Sequence, residues 1–256
     1  MLNFNEAQAT AWMTPLLWPF LRARALFTAL PVLGQRSVPT RVRIALAAFI
    51  ALAAQPSMPP LAAAAQVALD TPTAVLLVVQ QVLIGLSLGF AVRLVFTAVE
   101  FAGELVGLQM GLNFSGFFDP STGGQTTAMS RFFGTTISWL FIVVNGHLLI
   151  IAALVQSFQA FPVSAEPFSF IRAVQPQVWG AEIFSLGLWI ALPIVAMLLF
   201  TNIVLGIISR VAQQMNVFAI GFPITVSVGL LGALLTLPMM QAPFTMALEK
   251  MLANFQ

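Results

Sequence analysis

Six apolar runs divide the chain: Ala11–Leu33, Val42–Ala54, Ala74–Val99, Arg131–Val155, Ile183–Ser209 and Val217–Leu237. A helix needs about 20 largely apolar residues to cross a bilayer. The pattern therefore predicts an all-α, multi-helix integral membrane protein. Turn chemistry separates the runs, since Gly34 and Pro39 close the first, Gln55–Pro60 closes the second, and Pro162 and Pro167 follow the fourth. The last two runs are joined by a short polar stretch, Arg210 to Asn216. That arrangement predicts a helical hairpin over Ile183–Leu237 whose tip, at Arg210, Gln213 and Gln214, is either a plain turn or a contact point for another subunit. No repeat period is present.

Several runs are poorly suited to face lipid. Arg22 and Arg24 interrupt the first one, and a charge at a bilayer centre costs roughly 2.5–3.5 kcal/mol on insertion scales. Two residues apart on a helix, they point to different faces, so one polar seam cannot shelter both. The second run is short for a full crossing. Pro15, Pro19, Pro31, Pro193 and Pro223 fall within or at the ends of helical runs, and each removes a backbone donor. Either these are kinked spans with snorkelling arginines, or the helices pack against other chains.

Composition points the same way. Of 256 residues, 59% are hydrophobic and 7% charged, whereas a soluble domain carries about 25% charged residues. The mean hydropathy is +0.97. A free-standing soluble enzyme is excluded on these grounds. Cysteine is absent and histidine occurs once, at His147, which excludes disulfides, thiolate metal sites and a histidine-rich metal centre. Ten basic residues against eight acidic ones form no Lys/Arg-rich face, so no nucleic-acid partner is expected. Arg36, Arg41, Arg43, Arg93, Arg131 and Arg210 cluster at alternate connections, and the positive-inside rule then puts the Arg36–Arg43 side in the cytoplasm. No Lys or Arg precedes the first apolar run, so no cleaved secretory signal is expected.

The most informative segment runs from Glu100 to Gln125. Gly103, Gly107 and Gly111 recur every fourth residue, a bare strip along one helix face where another backbone can come close. Glu100 and Glu104 occupy a neighbouring strip, and Arg93 is a local partner for their charge. Beyond Gly111 the helical signal stops, and Gly, Ser, Asp and Pro mix with Phe114, Phe117 and Phe118 beside Met110. This is either a connecting loop with incidental aromatics or a re-entrant plug. In the second case apolar rings and a thioether would close a narrow pore by dewetting, and Gly111, Gly116, Gly123 and Gly124 would let the segment move.

Catalytic chemistry finds no support. His147 lies in the apolar stretch Phe141–Ile150 and is expected to be a buried, neutral histidine bonding between helices. A triad of His147, Ser138 and Asp119 lacks any nucleophile-elbow motif. No Walker loop, H-E-x-x-H or dinucleotide fingerprint occurs. The chain is therefore expected not to be an enzyme and to need no cofactor or metal.

In order along the chain, Pro31–Gly34 with Val38–Arg43, Gly103–Gly111 with Phe118–Ser121, Asn145–His147, and Asn216–Ile224 resemble the motifs of the FliR family of flagellar biosynthetic proteins and its counterparts in virulence type III secretion systems. Gln213 departs from the proline of many relatives. The resemblance implies a FliP-like part over residues 1–180, with a plug loop at about 110–124, and a FliQ-like hairpin and tail over 181–256. It further implies a core subunit of the flagellar export gate, built with several FliP and FliQ copies into a helical, pore-enclosing assembly through which unfolded flagellar proteins pass. FlhB would be a further partner at the cytoplasmic side. The location would be the bacterial inner membrane at the flagellar basal body, extending toward the periplasm. A rival reading is a stand-alone secondary transporter using Glu100, Glu104 and Arg93 as coupling or substrate charges. A structural membrane scaffold without a pore is the third.

Overall fold

A computed structural model describes residues 6–35, 37–58, 72–112, 127–163, 168–174, 179–212, 214 and 217–255. Every regular element among them is helical: α1 (Glu6–Ala29), α2 (Thr40–Ala54), α3 (Pro72–Gln109), α4 (Ala128–Val143), α5 (Gly146–Ala160), α6 (Ser169–Val174), α7 (Trp179–Val211), α8 (Val217–Thr236) and α9 (Gln241–Ala253). Short 3-10 turns follow α2 at Gln55–Ser57 and α8 at Leu237–Met240. Among the described residues, α3, α7 and the α8–α9 stretch are each long and apolar enough to cross a membrane. The pair α4 and α5 forms a fourth crossing if it is taken as one bent span.

Helices form by contacts into two compact units. The first comprises Met1–Leu94, Asn145–Trp179 and Leu248–Gln256; the second comprises Val95–Val144 and Gly180–Ala247.

In the first unit α2 packs on α1, and α3 packs on α1 through glycine. A methyl group at Gly89 would lie 2.7 Å from the Ala29 Cβ and 2.8 Å from the Leu26 carbonyl oxygen, and one at Gly85 would overlap the Arg22 carbonyl. Only residues without a side chain allow this approach. Trp18, Leu77, Phe158 and Val163 form a buried cluster beside it. Phe255, fully buried, packs on Trp179 with ring centroids 5.9 Å apart.

The second unit is aromatic at its centre. Phe96 meets Phe141 and Phe244 edge-on, at 5.5 Å and 5.7 Å, and Phe101 meets Phe184 at 5.4 Å. Such edge-to-face pairs add roughly 0.5–1.5 kcal/mol beyond the area they bury. Helices α7 and α8 form the expected hairpin, with Gly232 set against Met197 and Ile194. Pro193 and Pro223 are carried inside these helices.

Three features depart from the sequence expectation. The run Arg131–Val155 is not one helix, because Asn145 adopts a left-handed conformation (φ 56°) and α5 starts afresh at Gly146. His147 thereby falls in the first turn of α5 and is exposed, which corrects the buried, inter-helix histidine expected from its apolar surroundings. Helix α9 was unexpected, yet its pattern is amphipathic: Phe244, Leu248, Met251 and Leu252 are all buried.

Candidate functional site

The segment of greatest chemical interest begins where α3 ends. Gly103 and Gly107 seat this last part of α3 on the start of α4. A Cβ at Gly103 would come within 2.8 Å of the Ser130 Cα and 2.9 Å of the Met129 carbonyl oxygen, and one at Gly107 within 3.0 Å of the Thr127 Oγ1. The polar groups along this seam are paired. Ser130 Oγ donates to the Glu100 carbonyl (2.9 Å), while Thr127 donates from its hydroxyl (3.1 Å) and its backbone N–H (3.4 Å) to the Glu104 carboxylate. Thr127 also caps α4 by accepting from the Ser130 N–H at 3.1 Å. Glu104 thus lies at the positive end of the α4 dipole, a stabilising position for an anion. It is half-buried, whereas Glu100, whose carboxylate overlies Gly134, and Arg93 are exposed on the isolated chain.

Helix α3 closes at Met110 and Gly111. The Met110 N–H still bonds the Val106 carbonyl (3.0 Å), and the Gly111 N–H tightens onto Leu108 (3.1 Å). Gly111 then turns the backbone to φ 78°, the left-handed conformation that favours glycine at a helix end. Met110 is only 1% exposed. Beside it the second unit carries an open groove of about 560 Å³, whose walls include Gln109, Met110, Asn202, Gly206, Phe222 and Thr225. Phe114, Gly116, Phe117, Phe118, Gly123 and Gly124 lie outside the described residues, as does Gln213 at the hairpin tip. Arg210 and Gln214, on either side of it, are exposed.

A second polar centre lies in the first unit and was not legible from the chain. Arg22 is fully buried. Its Nε donates to Gln81 Oε1 (2.8 Å), its Nη1 to Ser157 Oγ (2.9 Å) and its Nη2 to the Phe161 carbonyl (2.9 Å), and its guanidinium carbon lies 3.6 Å from the Phe158 ring centroid. Gln81 passes the chain on to Gln80 (3.1 Å), and Gln80 to the Pro162 carbonyl (3.5 Å). One side chain therefore ties α1 to α3, to α5 and to the segment beyond it. Arg24 turns away, as two-residue spacing requires, and bonds Thr28 of its own helix. The sequence signal for this centre is the pair Gln80-Gln81 inside the apolar first turns of α3.

These features define a multi-helix integral membrane protein whose helices carry close-approach glycines and buried polar ties. Residues 13–251 match the family described as bacterial export proteins, family 1. The flagellar biosynthetic protein FliR of Escherichia coli K12 is 39% identical over 248 residues, covering 95% of this chain and 92% of its own. FliR of Pectobacterium carotovorum is 39% identical over 239 residues (93% and 90%), and that of Bacillus subtilis 30% over 223 residues (82% and 80%). The chain belongs to this family of bacterial export proteins.

Proposed function

We propose that this chain is a FliR-type subunit of the flagellar type III export gate. The observation that carries the reading is the family match along nearly the whole chain, with relatives named as flagellar biosynthetic proteins. In this reading the chain joins several FliP and FliQ copies to enclose a pore in the bacterial inner membrane, within an assembly that extends toward the periplasm. Residues 1–180 take the FliP-like place and 181–256 the FliQ-like one. FlhB binds at the cytoplasmic side, and unfolded flagellar proteins are the cargo. The apolar side chains that α7 leaves exposed, among them Trp189, Phe200, Ile203 and Ile207, support burial in lipid or against neighbouring subunits. Phe114, Phe117 and Phe118, based on Met110, close the resting channel; Gly111, Gly116, Gly123 and Gly124 let that closure yield to cargo. Gly103 and Gly107 hold the helix from which the closure departs. Arg210, Gln213 and Gln214 meet a neighbouring subunit. The chain supplies a path and a seal, and the driving energy comes from other components.

Deleting the gene in its host is expected to abolish secretion of flagellar proteins into the medium, and a plasmid copy is expected to restore it. Undiminished secretion from the deletion strain would overturn the proposal.

A further inference from the structure

Residues 7–69 hold Arg22, Arg24, Arg36, Arg41 and Arg43, half of the chain's ten basic residues, and no Asp or Glu. Where the structure describes these side chains, their bonds go to neutral groups. Arg22 uses Gln81, Ser157 and the Phe161 carbonyl, Arg24 uses Thr28, and Arg43 Nη2 uses the Gln35 and Val38 carbonyls. Arg43 Nε is buried with no acceptor among the described residues, and the exposed Arg41 guanidinium bonds none of them. The positive charge of the α1–α2 hairpin therefore has no counter-ion in its own stretch of chain. It also lies where a helix least favours it. The first turn of α2 carries Arg41 and Arg43 and no carboxylate, at the positive end of the helix dipole.

Beyond Arg41 the outward strip of α2 is apolar. Ala45, Phe49, Leu52 and Ala53 follow it at helical spacing and all are exposed, Phe49 by 71%. The opposite side, where Ala47, Ile50, Ala51 and Ala54 are buried, packs on α1. From Arg41 to Leu52 the strip runs about 16 Å at 1.5 Å per residue, half of a hydrocarbon core roughly 30 Å thick. Helix α2 is not among the described helices long and apolar enough to cross a membrane. A cation heading an apolar strip one leaflet deep complements an anionic phospholipid. An acidic loop would match the charge and leave the strip bare, whereas an apolar helix would cover the strip and leave Arg41 unmet.

We infer that the α1–α2 hairpin binds an anionic phospholipid. Arg41 takes the headgroup phosphate, an acyl chain lies along Ala45, Phe49 and Leu52, and Arg43 braces the connection behind them through the Gln35 and Val38 carbonyls. Such a site follows from membrane residence alone, and stands whether or not the chain serves an export gate.

The chain contains no cysteine, so Ala53→Cys places a single thiol at the far end of the strip for a fluorophore. The full chain, with the subunits that co-purify, is held in nanodiscs. Quenching is compared for phosphatidylglycerol and phosphatidylcholine bearing the same nitroxide on an acyl chain. A preference of about fivefold for phosphatidylglycerol is expected, the effect of one arginine near an anionic surface. Arg41→Gln is expected to bring the ratio close to one, and Arg41→Lys to retain most of it. Arg210→Gln removes the same charge from an exposed position on α7 and is expected to leave the ratio unchanged. Arg41 is exposed, so its substitution leaves the fold intact. Equal quenching by both lipids in the parent, or a preference that survives Arg41→Gln, would overturn the site. So would the absence of quenching by either lipid, which would mean that a protein neighbour covers the strip.

Discussion

Replacing Phe114–Gly124 with a short glycine–serine linker is expected to raise the passive small-ion conductance of the assembled gate on the order of tenfold or more, because an apolar constriction blocks ions by excluding water. The substitution removes three of the chain's phenylalanines and leaves the helical framework intact: α3 ends on its own glycine cap at Gly111, and α4 begins on its own threonine cap at Thr127. The expected effect is thus confined to the channel. Planar-bilayer recording of the purified complex, with subunit composition checked in parallel, is the appropriate measurement. Wild-type conductance from an intact complex would reject the closure and leave a connecting loop with incidental aromatics.

Arg22→Met is expected to lower the stability of the first unit by about 2–4 kcal/mol. Methionine fills much of the volume but leaves Gln81 Oε1, Ser157 Oγ and the Phe161 carbonyl without the donor they now share. An unsatisfied buried polar group costs about 1–3 kcal/mol, and the relief from no longer burying a charge offsets part of that sum. Arg22→Lys is expected to recover only a fraction, because a compact ammonium cannot address three acceptors and a ring face as a planar guanidinium does. Arg24→Met is the internal control. Arg24 is half-buried and its guanidinium bonds the exposed Thr28 of its own helix, so its loss is expected to cost no more than about 1 kcal/mol. Thermal unfolding in detergent, followed by helical circular dichroism, measures all three. Equal melting temperatures for Arg22→Met and Arg24→Met would mean that the buried arginine is not a structural tie.

The two arginines illustrate what a single chain discloses. Their spacing was enough to say that they point apart, and they do. That one is buried depends on acceptors 59, 135 and 139 residues away, a juxtaposition that periodicity cannot express. Apolar run length located α3, α7 and α8 because bilayer thickness imposes it directly, whereas the runs Ala11–Leu33 and Val42–Ala54 gave α1 and α2, which are not among the described helices long and apolar enough to cross. The break at Asn145 was missed because the surrounding residues are uniformly apolar, although Asn-Gly is itself a turn signal and asparagine tolerates the left-handed region. His147 followed that error. Read as mid-helix it would have been enclosed; as a first-turn residue of α5 it is exposed. Helix α9 was obscured by Pro238 and Pro243, yet Pro243 lies in its first turn, where a missing N–H disturbs little.

At the candidate site the glycine strip was legible as a place of close approach, but its partner was not. Gly103 and Gly107 face α4, and the charge on the neighbouring strip, Glu104, is engaged by Thr127 at that helix's cap. Nothing in the chain's pattern pairs Met110 with Gly229 of α8, where a Cβ would stand 2.6 Å from the Met110 Cγ and Sδ, since one glycine among several in an apolar helix carries no address for its neighbour.

The central claim is that this chain works as one part of a larger export gate. Native mass spectrometry on the tagged chain, co-expressed with its genomic neighbours and released in mild detergent, tests it most directly. The account predicts one copy of this chain in a much larger heteromer of small membrane proteins of the FliP and FliQ types. A monomer or homodimer that takes up no partner would contradict it.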